Sequence, residues 1–262
     1  MAQLASADGT QIGFESIGTV PGLVVLGGGR VTGRVYRDLA WHLADAFTVH
    51  LVDRDLRLDD YTLDLVCDDV IAIMAETGAT RLFGHSSGGL VALETALRHP
   101  VAKVAVFEPA VSIDGGLPSG WLPAFERAVA AGRTLDALAI QAGGLQVAGP
   151  GTMPLWLLKA LIRLTLTGER RREFVEVLPR VAGEMREVLR LDSSGARYGG
   201  VHAETLLLTG ERGPGYLREV AAALHAVIPG ARLVDLPKLG HDAPRGRGAA
   251  QVAHAMRDFL RD

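Results

Sequence analysis

The chain is short of several things, and each shortage excludes a class of protein. Of its 262 residues only one is cysteine, Cys67, so no internal disulfide is possible. It has no large excess of either charge: 27 Lys and Arg against 30 Asp and Glu leave a formal net charge of −3, which argues against a phosphate backbone as main partner. No apolar run approaches the ~20 residues of a membrane span. The longest candidate, Pro154 to Leu166, is interrupted by Lys159 and Arg163. The opening stretch, Met1 to Asp8, has neither a basic start nor an apolar signal-type segment, so a reduced, cytoplasmic protein is expected. HExxH, paired cysteines and clustered Asp/His at ligand spacing are all missing, as are the two glycine-rich phosphate-binding patterns, so neither metal nor cofactor is expected.

What is present points to a packed enzyme-sized domain. A hydrophobic share of 48% with mean hydropathy +0.21 excludes disorder, and the length suits a single α/β unit with an insertion. Asp8-Gly9 separates two short alternating stretches, a hairpin signal. Leu23–Leu26, Phe47–Val52, Arg81–Phe83 and Val101–Phe107 are short apolar runs of the kind buried on both faces of a parallel sheet. Helical spacing falls between them: Val35–Ala46, Asp60–Glu76 closed by Gly78, and Leu90–Arg98 before Pro100. From about Ala110 to Gly200 the strand rhythm stops and helical patterns take over, at Trp121–Ala131, Thr134–Ile140, Pro154–Leu166 and Arg170–Leu191. Alternation resumes with strands at Thr205–Leu208 and Arg232–Leu236 and helices at Tyr216–Ile228 and Ala249–Leu260. The expected division is therefore a core of 1–109 and 201–262, mainly parallel sheet flanked by helices, with an all-helical insertion of 110–200.

The chemistry concentrates in Gly84-His85-Ser86-Ser87-Gly88, a G-x-S-x-G that follows a predicted strand and opens a predicted helix. A tight strand-to-helix turn exposes its central serine at the sheet edge, and only glycine fits at the flanking positions. A serine hydroxyl needs a base. Of eight histidines, His241 alone sits in a loop after the last strand, in Leu239-Gly240-His241-Asp242-Ala243-Pro244, where such sheets place their chemistry. His85 adjoins Ser86 and points elsewhere, as a structural residue.

This order of strand, G-x-S-x-G, helix, strand, helical insertion, two further strand units and Gly-His resembles the α/β-hydrolase fold superfamily over essentially the whole chain. The resemblance implies Ser86 as nucleophile, His241 as base, the insertion as a cap, and an oxyanion hole of two backbone N–H groups. One belongs to Ser87; the other lies in Gly27-Gly28-Gly29-Arg30, at Gly29 or Arg30, where relatives often carry His-Gly. Asp53 to Asp60 replaces the Gly-rich stretch that many members have there. The acid departs most. Its usual place reads Gly210-Glu211-Arg212-Gly213-Pro214, with Gly213 at the acid position. Glu108, ending the strand after the nucleophile helix as the acid does in some relatives, is the preferred replacement, ahead of Glu211.

The expected activity is hydrolysis of an ester or lactone of an apolar small molecule, with Trp121, Trp156 and Phe174 as candidate pocket residues and Arg170–Arg172 as a solvated turn. The rival readings are a lyase or cyclase on the same fold and a catalytically silent binding protein. The expected partner is a small-molecule substrate; the assembly state, a homodimer among the options, stays open.

Overall fold

The computed structural model describes residues 2–19, 21–29, 31–54, 61–147 and 153–261, apart from the side chains of 169, 170 and 173. Its first two strands, β1 (Ala2–Ala5) and β2 (Gln11–Ile17), pair antiparallel with Ala2 opposite Phe14. The turn between them holds Gly9 at φ +85°, and Asp8 Oδ1 accepts the Thr10 N–H at 2.9 Å. Then follow β3 (Gly22–Leu26), β4 (Thr48–Asp53), β5 (Arg81–His85), β6 (Lys103–Phe107), β7 (Glu204–Gly210) and β8 (Arg232–Leu236). All join one sheet in the order β1-β2-β4-β3-β5-β6-β7-β8, antiparallel up to β4 and parallel beyond it.

The run Leu23-Val24-Val25-Leu26 shows why β3 is apolar without alternation. Val24 and Leu26 face one core, Leu23 and Val25 the other, and all four are fully buried. On the first face lie α2 (Leu63–Thr77), α3 (Ser87–Arg98) and α8 (Gly215–Val227), through residues such as Val66, Leu93 and Leu224. On the second lie α1 (Arg37–Trp41) and α9 (Ala249–Arg261), through Leu39, Val252 and Met256. Each buried Leu or Val contributes roughly 1.5–3 kcal/mol by leaving water, so both layers are held chiefly by this sandwich.

Among the elements whose lengths differ from their sequence patterns, two show the physical reason. The expected helix over Val35–Ala46 is a 3-10 turn at Gly33–Tyr36 followed by the five residues of α1. Tight turns carry the remaining apolar residues inward, with the Leu43 N–H bonded to the Ala40 carbonyl at 3.0 Å. Helix α2 starts at Leu63, where Thr62 caps the Leu65 N–H at 3.3 Å, and Gly78 ends it at φ +67°.

Between β6 and β7 run α4 (Leu122–Ala130), α5 (Thr134–Gly144), α6 (Leu155–Thr165) and α7 (Gly168–Arg190). Phe125, Leu138, Leu178 and Val181 of these helices join the same core as α2 and α3. The two ends of the insertion meet: Ile113 bridges to Ser193, and Asp192 accepts from the Ser112 hydroxyl and from the Gly115 N–H. Among the described residues, no helix is long and apolar enough to cross a membrane.

Candidate active site

Ser86 stands between the last residue of β5 and the first of α3, with φ +55° and ψ −123°. That left-handed backbone is unusual for a non-glycine residue and is held by its neighbours. The Ser86 N–H donates to the Phe107 carbonyl at 3.1 Å, and the Ser86 carbonyl accepts the Ala110 N–H at 2.9 Å. The flanking glycines are required by close approach. A Cβ at Gly84 would lie 2.3 Å from the Gly88 carbonyl oxygen, and one at Gly88 would lie 2.3 Å from that of Leu26. The first N–H groups of α3 lack intrahelical acceptors, so the positive end of the helix faces the Ser86 side chain's surroundings.

The structure brings Ser86, His241 and Glu108 into one chain of hydrogen bonds. His241 Nε2 is 3.2 Å from Ser86 Oγ, and His241 Nδ1 is 2.6 Å from Glu108 Oε2. A carboxylate can only accept, so Nδ1 carries the proton and Nε2 turns its lone pair to the serine hydroxyl. The other carboxylate oxygen, Oε1, accepts the Gly210 N–H at 3.0 Å. Glu108 is fully buried, and its φ of +44° turns the chain off the end of β6. Gly213 explains where the carboxylate fits: a Cβ there would sit 1.8 Å from Glu108 Oε1. Glu108 thus fills the space beside the bare position. Glu211 does not reach it, because it is exposed and its Oε2 accepts the Lys238 N–H at 2.7 Å.

A second group, not apparent from the sequence, supports the first. Tyr36 Oη accepts the Gly28 N–H at 2.9 Å and lies 2.6 Å from His85 Nδ1. With its lone pairs facing Gly28, the hydroxyl sends its hydrogen to Nδ1, so the His85 proton sits on Nε2. Burial, followed by the neighbouring His241 and Arg245 charges, holds the His85 pKa well below 6.5, and the ring stays neutral. Its centroid is 4.7 Å from that of His241. Burial likewise raises the Tyr36 pKa. One hydroxyl thereby joins the Gly27-Gly28-Gly29 loop to the elbow. No linear pattern links Tyr36 to His85, 49 positions on.

Gly28, Gly29, Ser86 and Ser87 line a cavity of about 60 Å³. Since Tyr36 takes the Gly28 N–H, Gly29 and Ser87 are the backbone donors left on that wall; Arg30 lies outside the described residues, as do residues 55–60 of the loop after β4. Arg54, just past β4, donates through Nη2 to Glu184 Oε1 and to Ser87 Oγ, each at 2.9 Å. Both side chains are 5% exposed, so a buried ion pair ties α7 to the elbow.

The three aromatic candidates are scattered. Trp121 packs inside the insertion, edge-on to Phe125 and over Gly144, with Nε1 donating to the Pro118 carbonyl at 2.8 Å. It is a core residue, because its indole is needed to fill the space between α4 and α5. Trp156 is 70% exposed on the solvent face of α6. Phe174 lines a separate cavity of about 380 Å³ between α5, α6 and α7. Cys67 is buried, and burial pushes its thiol up to about 11, which leaves it unreactive near neutral pH. Among the described residues, no three His, Cys, Asp or Glu side chains gather as a metal site requires.

Comparison with known proteins agrees with this architecture. Over 96 residues the chain is 36% identical to a pimeloyl-[acyl-carrier protein] methyl ester esterase of Aeromonas hydrophila, a match spanning 34% of this chain and 37% of that one. An alpha/beta hydrolase from Sphaerobacter thermophilus superposes with a TM-score of 0.83 at 26% identity, covering 99% of this chain and all of the other. An enol-lactonase from Burkholderia xenovorans shares the fold at a TM-score of 0.77 and 19% identity, with complete coverage of both. The model of the alpha/beta hydrolase family matches residues 23–255, and the chain belongs to that family.

Proposed function

We propose that this hydrolase cleaves an ester or lactone bond of a fairly apolar small molecule through a covalent acyl-enzyme on Ser86, with residues 110–200 as the cap over the site. The observation that carries the reading is the hydrogen-bonded chain Ser86–His241–Glu108 on a strained elbow. Identity to a methyl ester esterase over part of the chain adds weight to ester cleavage. Ser86 Oγ attacks the substrate carbonyl while His241 Nε2 takes its proton. The tetrahedral oxyanion receives the N–H groups of Ser87 and Gly29, often the largest single contribution to the rate. His241 then protonates the leaving oxygen, and the C–O bond breaks. A water attacks the acyl-enzyme by the same route, its proton passing through His241 back to Ser86. Glu108 fixes the imidazole tautomer and balances the imidazolium charge.

The test is labelling with a fluorophosphonate, peptide mapping, and turnover of an activated ester. The label is expected on Ser86, with Ser86→Ala unlabelled and its kcat lower by several orders of magnitude. An alanine variant that hydrolyses the ester at near wild-type rate overturns the reading. Labelled Ser86 with no ester or lactone turned over turns it toward a lyase or cyclase.

A further inference from the structure

Beside the compartment at Ser86 lies a second, larger one. The inner one, at Ser86 and Gly29, is about 60 Å³, while the mainly apolar one lined by Leu138, Leu158, Ile162 and Phe174, together with Thr165, Asp242 and Arg245, is about 380 Å³. Val147 and Arg245 line both, so the compartments adjoin at these two side chains. A water needs roughly 10–15 Å³ of such space, so the inner compartment takes on the order of five heavy atoms.

The inner compartment also has one unsatisfied polar group on its cap side. Gln141, on α5, is 4% exposed and lines it, and its Oε1 has no hydrogen-bond partner. Other polar groups on this wall are engaged: Tyr216 Oη donates to the Leu145 carbonyl at 3.1 Å, and Ser87 Oγ and Glu184 accept from Arg54. On the sheet side, His85 Nε2 likewise has no partner among the described residues, and as an N–H it offers a donor rather than an acceptor. A buried acceptor without a donor costs free energy until a ligand supplies one. A hydroxyl suits the place best. It donates to Oε1 and can accept from the same amide, whereas an ammonium would bring charge next to a carboxylate that Arg54 already balances.

We infer, building on the ester hydrolysis proposed above, that the substrate is an ester with two unlike arms. One is short and carries a hydroxyl that hydrogen-bonds Gln141; the other is long and apolar and passes between Val147 and Arg245 into the larger compartment. The inner compartment excludes the long arm by size. The small and large sides of the ester are therefore sorted by the site itself.

The experiment compares kcat/KM for matched pairs of esters with a long alkyl arm and a short arm with or without a hydroxyl, the short arm being the acid in one series and the alcohol in the other. In one series the hydroxylated member is expected to be favoured at least tenfold, because a site that hydrogen-bonds a hydroxyl discriminates against its absence. Gln141→Leu should bring that ratio close to one, and Gln141→Asn, which withdraws the amide, should lower it. Val147→Trp should depress long-arm esters at least tenfold more than short-arm ones. Equal rates for both members in the wild-type protein, or an undiminished preference in Gln141→Leu, overturn the inference while leaving ester hydrolysis intact. Melting-temperature shifts of Ser86→Ala with the same pairs give a reading without turnover. A hydroxyl-dependent shift in a protein that cleaves no ester overturns only the hydrolytic reading, and equal shifts overturn the inference.

Discussion

The end of the sheet and the helical insertion meet at one cavity, yet they are built differently. At the sheet end, the groups are fixed by backbone or by a buried hydroxyl: Ser86 by its elbow between β5 and α3, Glu108 by the tip of β6 and the Gly210 N–H, and the Gly28 loop by the Tyr36 hydroxyl. Such mounts hold atoms to within fractions of an ångström, which proton transfer demands. The insertion reaches the cavity through side chains on helices, such as Gln141 and Glu184, and its contact with the elbow depends on the Arg54–Glu184 pair. Under the proposed function, chemistry falls to the first region and selection to the second. Changes at the sheet end should therefore act on kcat, and changes in the insertion on the ranking of substrates.

The comparison can be broken most forcefully at Gly213. Gly213→Ala places a Cβ where Glu108 Oε1 lies, so the carboxylate must shift. Misplacement on the scale of an ångström can cost about 10²-fold, so kcat/KM should fall by that order with the helical content unchanged by circular dichroism. An alanine variant of full activity would mean that Glu108 has another seat. Tyr36→Phe is the next largest. It strips the Gly28 N–H of its acceptor and His85 Nδ1 of its donor, each costing about 1–3 kcal/mol when buried. A roughly tenfold loss in kcat with KM nearly constant is expected, on the order of one such hydrogen bond; a loss confined to KM would place Tyr36 with the selecting region instead.

The smallest effect concerns pH and stability. His85 has a folded pKa well below 6.5, so the unfolded chain binds more protons than the folded one between those two values. Its contribution to stability is present above about 6.5 and is lost progressively as pH falls toward the folded pKa. The melting temperature should accordingly decline on acidification from that point, and decline less steeply in His85→Gln. Parallel curves for the two proteins would show that this histidine is not the group responsible.

Legibility from sequence follows the same division. The strands, the elbow and the position of His241 are readable because each rests on a local pattern: apolar runs, a G-x-S-x-G between strand and helix, a Gly-His after the last strand. That His241 meets Glu108 is readable from a gap, since Gly213 has no side chain and Glu108 ends the neighbouring strand. Tyr36, Arg54 and Glu184 are not readable, because each partner lies tens to more than a hundred positions away and none belongs to a motif. In the insertion, an aromatic residue in a helical pattern says only that it is large. Trp121 fills a core, Trp156 faces solvent and Phe174 lines the larger compartment, and tertiary packing alone decides which.

The central claim is that a carboxylate at the tip of β6 does the orienting that Gly213 cannot. The direct measurement is kcat/KM of Glu108→Gln beside Glu211→Gln on one activated ester, with fluorophosphonate labelling of Ser86 followed in parallel. The account predicts a fall of about 10²–10⁴-fold for Glu108→Gln, as when other triads lose the acid's charge, slower labelling of Ser86, and a nearly unchanged Glu211→Gln. Wild-type turnover in Glu108→Gln, or a comparable loss in Glu211→Gln, would contradict it.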